Sequence, residues 1–143
     1  MSPSPPTLGS VTEDRPLPPP DPVAHVVPTI GEARIRELVA AFYRRIPQDP
    51  LLGPMYPPHD LAGAEARLAD FLVQRFGGDN AYSRQRGHPR LRMRHAPFRV
   101  DLAVRDRWLQ LMSSAMDEVG FDARVRREVG AFFDEVAQFL VNS

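Results

Sequence analysis

The chain has 143 residues, enough for one domain and too few for two of ordinary size, and its 43% hydrophobic and 25% charged content is that of a globular protein. Eighteen basic and eighteen acidic residues cancel, so no general affinity for nucleic acid or other polyanions is expected, and every basic residue is arginine, which keeps its charge at any working pH. The lack of cysteine excludes disulfides, cysteine-held zinc, iron–sulfur clusters, thiolate-ligated haem and thiol catalysis. No apolar run approaches the roughly 18 residues that span a bilayer, and the N-terminus lacks a charged segment followed by an apolar one. The expectation is a cytoplasmic protein with no membrane association.

Residues 1–28 hold nine of the sixteen prolines and few large apolar groups, which predicts a disordered extension ahead of a folded unit over residues 29–143. Leu17-Pro18-Pro19-Pro20 reads either as an extended docking peptide or as a solvated tail without a partner. From Thr29 the pattern changes. Thr29-Ile30-Gly31-Glu32 fits a capping box, and Ile35, Leu38, Val39, Phe42, Tyr43 and Ile46 recur at helical spacing to about Pro47. Pro47, Pro50, Pro54, Pro57 and Pro58 then impose an irregular stretch that ends near Tyr56.

Asp60 is placed to cap a second helix whose stripe is Leu61, Ala64, Leu68, Phe71, Leu72 and Phe76, stopped by Gly77-Gly78. Asp79 to Gly87 reads as a polar loop. Pro89 suits the first turn of a brief helix with Leu91, Met93 and His95, which Pro97 ends. Asp101 caps a third long helix (Leu102, Trp108, Leu111, Met112, Ala115, Met116, Val119) that closes at Gly120. A fourth begins near Asp122 with Val125, Val129, Phe132, Val136, Phe139 and Leu140. No segment alternates as a strand does, so the fold class is all-α.

Four histidines are present. His25 falls in the extension, and His59 and His88 read as exposed loop residues. His95 differs, because it closes a very short helix between two long ones with strong apolar faces. An imidazole there can bind a metal if its other ring nitrogen donates to a carbonyl and so fixes the tautomer; a satisfied histidine is the plainer alternative. Between Arg84 and Arg99 stand six arginines and no acidic residue. Three readings of them stay open: a phosphate-binding patch, a partner for one dianionic small molecule beside His95, or a solvated face.

The run from Tyr82 to Phe98, YSRQRGHPRLRMRHAPF, closely resembles the proximal segment of group II truncated haemoglobins. The resemblance extends through Phe42-Tyr43, Tyr56-Pro57, Asp60 to Glu65, Gly77-Gly78 and Trp108-Leu109, and covers residues 29–143. It implies a two-over-two helical sandwich with a short proximal helix, and a non-covalently held haem b with His95 as the iron ligand. It further implies Tyr43, Tyr56 and Trp108 as distal hydrogen-bond donors, Ala64 as the distal gate, and Leu68, Phe71, Met93 and Phe98 as apolar wall. Arg92 is the expected propionate partner, in preference to Arg94.

The implied function is binding of dioxygen and other diatomic ligands with slow release, since several donors aimed at a partly charged ligand retard its dissociation. The alternative is redox chemistry of the nitric oxide dioxygenase or peroxidase kind. The partners expected are the diatomic ligand and a separate, unidentified reductase; a homodimer through an exposed helix face is left open. A helical partner-binding module without haem is the reading from a different class.

Overall fold

The computed structural model describes residues 21–143. Those residues form seven helices: α1 (Val26–Ile30), α2 (Glu32–Arg45), α3 (Leu61–Arg75), α4 (Ala81–Arg86), α5 (Leu91–His95), α6 (Leu102–Val119) and α7 (Ala123–Leu140), with a 3-10 turn at Gly53–Met55. Among the described residues there is no strand, as the stripes predict, and no helix is long and apolar enough to cross a membrane.

The four long helices form because each carries one apolar stripe at 3.6-residue spacing. Ile35, Leu38, Val39 and Phe42 of α2 are fully buried, and Met112, Val129 and Phe133 meet them from α6 and α7. Burying side chains of this size contributes about 1.5–3 kcal/mol each. α2 packs against α3 and α6, and α6 against α7, which gives two helix pairs stacked through α2 and α6. The caps of the second half form as expected: the Asp101 and Asp122 carboxylates each accept from the N–H three residues on, at 2.9 Å, and Gly120 ends α6 in the left-handed conformation.

Four local expectations change. The folded unit starts before residue 29, since Val23 and Val26 are buried and Val27 N–H donates to Phe76 O at 2.9 Å. Two valines between prolines were enough to anchor the segment to the end of α3. The contact is so close that a Cβ on Gly77, whose φ is +94°, would stand 1.9 Å from Ala24 O. The remaining extension, with its Leu17-Pro18-Pro19-Pro20 motif, lies outside the described residues.

The capping box does not form: Gly31 caps α2, while the Thr29 hydroxyl, taken up in α1, meets His25 Nδ1 at 3.2 Å. Asp60 precedes α3 without capping it, because its carboxylate is drawn to Arg67 at 2.9 Å. The polar loop after Gly78 contains α4, held by Gln74 Oε1 accepting from Ser83 N–H at 2.9 Å and by Tyr82, buried edge-on against Phe71 at 5.5 Å.

The turn after α2 is organised by Asp49, whose side chain is buried. It accepts from the N–H groups of Leu52 at 2.8 Å and Leu51 at 3.1 Å and from Arg107 Nε of α6 at 2.5 Å. These donors, the Leu52 N–H first and Arg107 after it, hold the carboxyl below its ordinary pKa despite burial. The turn sends Leu52 into the core and carries Tyr56 to the site.

Candidate haem site

A cavity of about 380 Å³ opens among α2, α3, α5, α6 and α7 and is lined mainly by apolar side chains. That is the scale of a cofactor site, typically about 300–1,000 Å³. Eight of the expected site residues line it: Tyr43, Tyr56, Ala64, Leu68, Phe71, His95, Phe98 and Trp108. They come from four helices and two connecting segments, so only the tertiary fold assembles them.

The chain reaches α5 through a sharp reversal. Gly87 has φ +74°, and Arg90 sits at φ +48°, a left-handed conformation uncommon for a residue with a side chain. Arg90 N–H donates to His88 Nδ1 at 3.0 Å, which gives His88 a role in the reversal. At the end of α5 the His95 Nδ1 lies 2.8 Å from Leu91 O. A carbonyl can only accept, so Nδ1 carries the proton and Nε2 keeps its lone pair. That is the condition set above for a metal-binding imidazole.

Tyr43, Tyr56 and Trp108 form a connected aromatic group. Tyr43 meets Tyr56 edge-on at 5.6 Å between centroids, and Phe42 links Tyr43 at 5.4 Å to Trp108 at 5.2 Å. Burial pushes the Tyr43 hydroxyl well above its ordinary pKa, with Tyr56 adding to the effect. Burial likewise raises Tyr56 to about 12, and the Trp108 indole N–H directed at its oxygen offsets part of that rise. Both phenols therefore remain neutral O–H donors at working pH.

Two expected site residues, Met93 of the wall and Arg92 as propionate partner, are not at the cavity. Met93 is 59% exposed; at about 100° per residue it lies nearly opposite His95 on α5. The Arg92 guanidinium stacks at 5.0 Å over the Phe139 ring of α7, outside the cavity lining, and Arg94 lines the cavity instead, donating to Tyr82 Oη at 3.1 Å. Arg92 and Arg94 flank His95 on two sides. The hydroxyl that receives Arg94 at the cavity belongs to Tyr82 of α4, the helix that sequence spacing did not reveal. Arg67 and Arg105 also line the cavity.

Asn142 is a further participant without a sequence signal. Its Oδ1 accepts from Val100 N–H at 2.8 Å, its own N–H donates to Val100 O at 2.9 Å, and its Nδ2 donates to Phe98 O at 2.9 Å and, at 3.4 Å, to His95 O. The end of the chain thus pins the loop that follows His95.

The family model of the bacterial-like globins matches residues 28–142. The group 2 truncated hemoglobin YjbI of Bacillus subtilis is 38% identical over 113 residues, 79% of this chain and 85% of that protein. Among solved structures, the hemoglobin of Chloroflexus aurantiacus superposes with a TM-score of 0.78 at 40% identity, covering 87% of this chain and 99% of that one. The truncated oxygen-avid haemoglobin of Bacillus subtilis superposes with 0.77 at 37% identity, covering 81% and 98%. An all-helical two-over-two fold, the motif from Tyr82 to Phe98 and these likenesses agree: the chain belongs to the bacterial-like globins, among the group II truncated haemoglobins.

Proposed function

We propose that this globin holds haem b non-covalently through His95 Nε2 and binds dioxygen and other diatomic ligands with slow release. The observation that carries the proposal is the His95 imidazole, its Nδ1 committed to Leu91 O, on the wall of the same apolar cavity that Tyr43, Tyr56 and Trp108 line. The cavity's chemistry suits the group: apolar side chains for the macrocycle, a neutral imidazole nitrogen for the iron, and Arg94, Arg67 and Arg105 as candidates for the two propionates. With no cysteine in the chain, thioether attachment is excluded.

When bound, haem would supply an iron able to take up a diatomic ligand. The chain's own residues do the rest. Leu91 O keeps the imidazole in one tautomer and one orientation. Leu68, Phe71 and Phe98 exclude water, while Ala64 leaves space beside α3 for a ligand to pass. Tyr43, Tyr56 and Trp108 offer O–H and N–H donors to a ligand that gains negative charge, and their pre-ordered aromatic packing means little reorganisation is needed. The oxygen avidity in the name of the Bacillus subtilis structure accords with this reading.

A hydrogen bond to a partly charged acceptor contributes about 1.5–3 kcal/mol, so removing one donor should speed release roughly tenfold to a hundredfold. Stopped-flow oxygen release from Tyr43→Phe and Trp108→Phe tests this, and rates equal to wild type would refute the distal assignment. Histidine-haem absorption features that survive in His95→Ala would refute the proximal one.

A further inference from the structure

Arginines elsewhere in the described chain are nearly all paired: only Arg86, Arg90, Arg92, Arg94 and Arg127 have no carboxylate within 4.0 Å among the described residues. Four of those five sit together on α4, α5 and the reversal between them. Arg84 and Arg99, each with an aspartate, border them, and all six are exposed. From Asn80 to Val100 there is no acidic residue, so a chain that is neutral overall carries a strongly positive face on one side and an excess of acid over the rest. Exposed Met93 (59%) lies in the same stretch, outside the cavity lining.

We infer that this face docks an acidic electron-transfer protein, a reduced flavoprotein or [2Fe–2S] protein, that delivers one electron to the ferric iron. The inference rests on the haem reading above. Three observations select the partner. Uncompensated arginines favour an anionic surface and steer it in diffusion. An exposed methionine among arginines is the composition of a protein interface, whereas the acidic remainder of the chain repels a long polyanion. Location supplies the third: Arg94 and His95 share α5 and both line the cavity, so a protein seated on the arginines stands at the cofactor's edge. In the step, the donor loses one electron and the ferric iron gains it; no bond changes.

The test uses the haem-loaded protein and an acidic plant-type [2Fe–2S] ferredoxin. Ferric reduction by the reduced ferredoxin should slow tenfold or more between about 20 and about 300 mM salt. At low salt the double variant Arg86→Glu/Arg90→Glu should be at least tenfold slower than wild type, and Arg127→Glu, at the far end of α7, within twofold of it. Reduced methyl viologen, a cation, should reduce the double variant as fast as wild type or faster. Calorimetry with oxidised ferredoxin reads docking without turnover and should show binding that the double variant loses.

Equal ferredoxin rates in the double variant and wild type, equal impairment by Arg127→Glu, or tighter binding of duplex DNA or anionic phosphatidylglycerol vesicles than of ferredoxin would overturn the inference. A wild-type protein that gains no Soret band with haem would overturn the haem reading instead, a distinct result.

Discussion

Asn142 gives the sharpest test of how the proximal side is built. In Asn142→Ala the main-chain bond from residue 142 to Val100 O persists, but Val100 N–H loses its acceptor and Phe98 O its donor. Val100 is buried, at 7% exposure, and an unmet N–H there costs about 1–3 kcal/mol; the bond to Phe98 O, in an exposed setting, adds less than about 1 kcal/mol. A total near 2 kcal/mol corresponds to a roughly 30-fold change in the opening equilibrium of the loop after His95.

If haem leaves when that loop opens, its transfer to excess apomyoglobin should accelerate by about the same factor, roughly 10- to 50-fold. Asn142→Asp keeps the acceptor for Val100 N–H but loses the donor and sets a carboxylate beside Phe98 O, so it should fall between the two. Haem loss from Asn142→Ala within twofold of wild type would show that the proximal loop holds itself and that the clamp is incidental.

Three other outcomes follow from the geometry. Asp49→Ala removes the acceptor for two main-chain N–H groups and leaves Arg107 without its partner, so denaturant melts should show a loss of about 2–4 kcal/mol; because the carboxyl is held below its ordinary pKa, its contribution is complete above about pH 4 and fades as the pH falls further. Gly77→Ala would bring its Cβ into Ala24 O and force an unfavourable positive φ, which should release residues 21–30 from the core and expose them to limited proteolysis. Tyr43 and Tyr56 are protonated in the fold above their ordinary pKa, so their share of stability is intact below about pH 10 and falls by about 1 kcal/mol per pH unit for each tyrosine between pH 10 and 12. Thermal melts across that window should show the fall in wild type and a flatter profile in Tyr43→Phe/Tyr56→Phe.

Much of the fold was legible because its signals are local. The stripes of α2, α3, α6 and α7, the aspartate caps at Asp101 and Asp122 and the stop at Gly120 depend only on residues within a turn of each other. The short helix ending at His95 was legible from Pro89 and Pro97. What spacing did not reveal depends on distant partners. α4 is polar in sequence and is held by Gln74 and by the packing of Tyr82 on Phe71. The valines ahead of Thr29 count as core only once the end of α3 is beside them. Arg94 meets Tyr82 of that same unseen helix, while Arg92 stacks on Phe139 of α7.

Two of the residues that spacing missed, Asn142 and Asp49, act mainly on main-chain groups. Asn142 holds Val100 and Phe98 by N–H and C=O, and Asp49 holds the N–H groups of Leu51 and Leu52. Main-chain partners leave no trace in residue type, so no motif announces them, yet they fix position better than a flexible side chain does. His95 itself follows this rule, its Nδ1 held by Leu91 O and not by a carboxylate. A carboxylate there would push electron density onto the imidazole and, through it, onto the iron, whereas a neutral carbonyl orients the ring with a weaker push. On the function proposed above, stabilisation of a ligand that gains negative charge would then fall to Tyr43, Tyr56 and Trp108, so their removal, more than any proximal change that keeps His95, should govern how fast the ligand leaves.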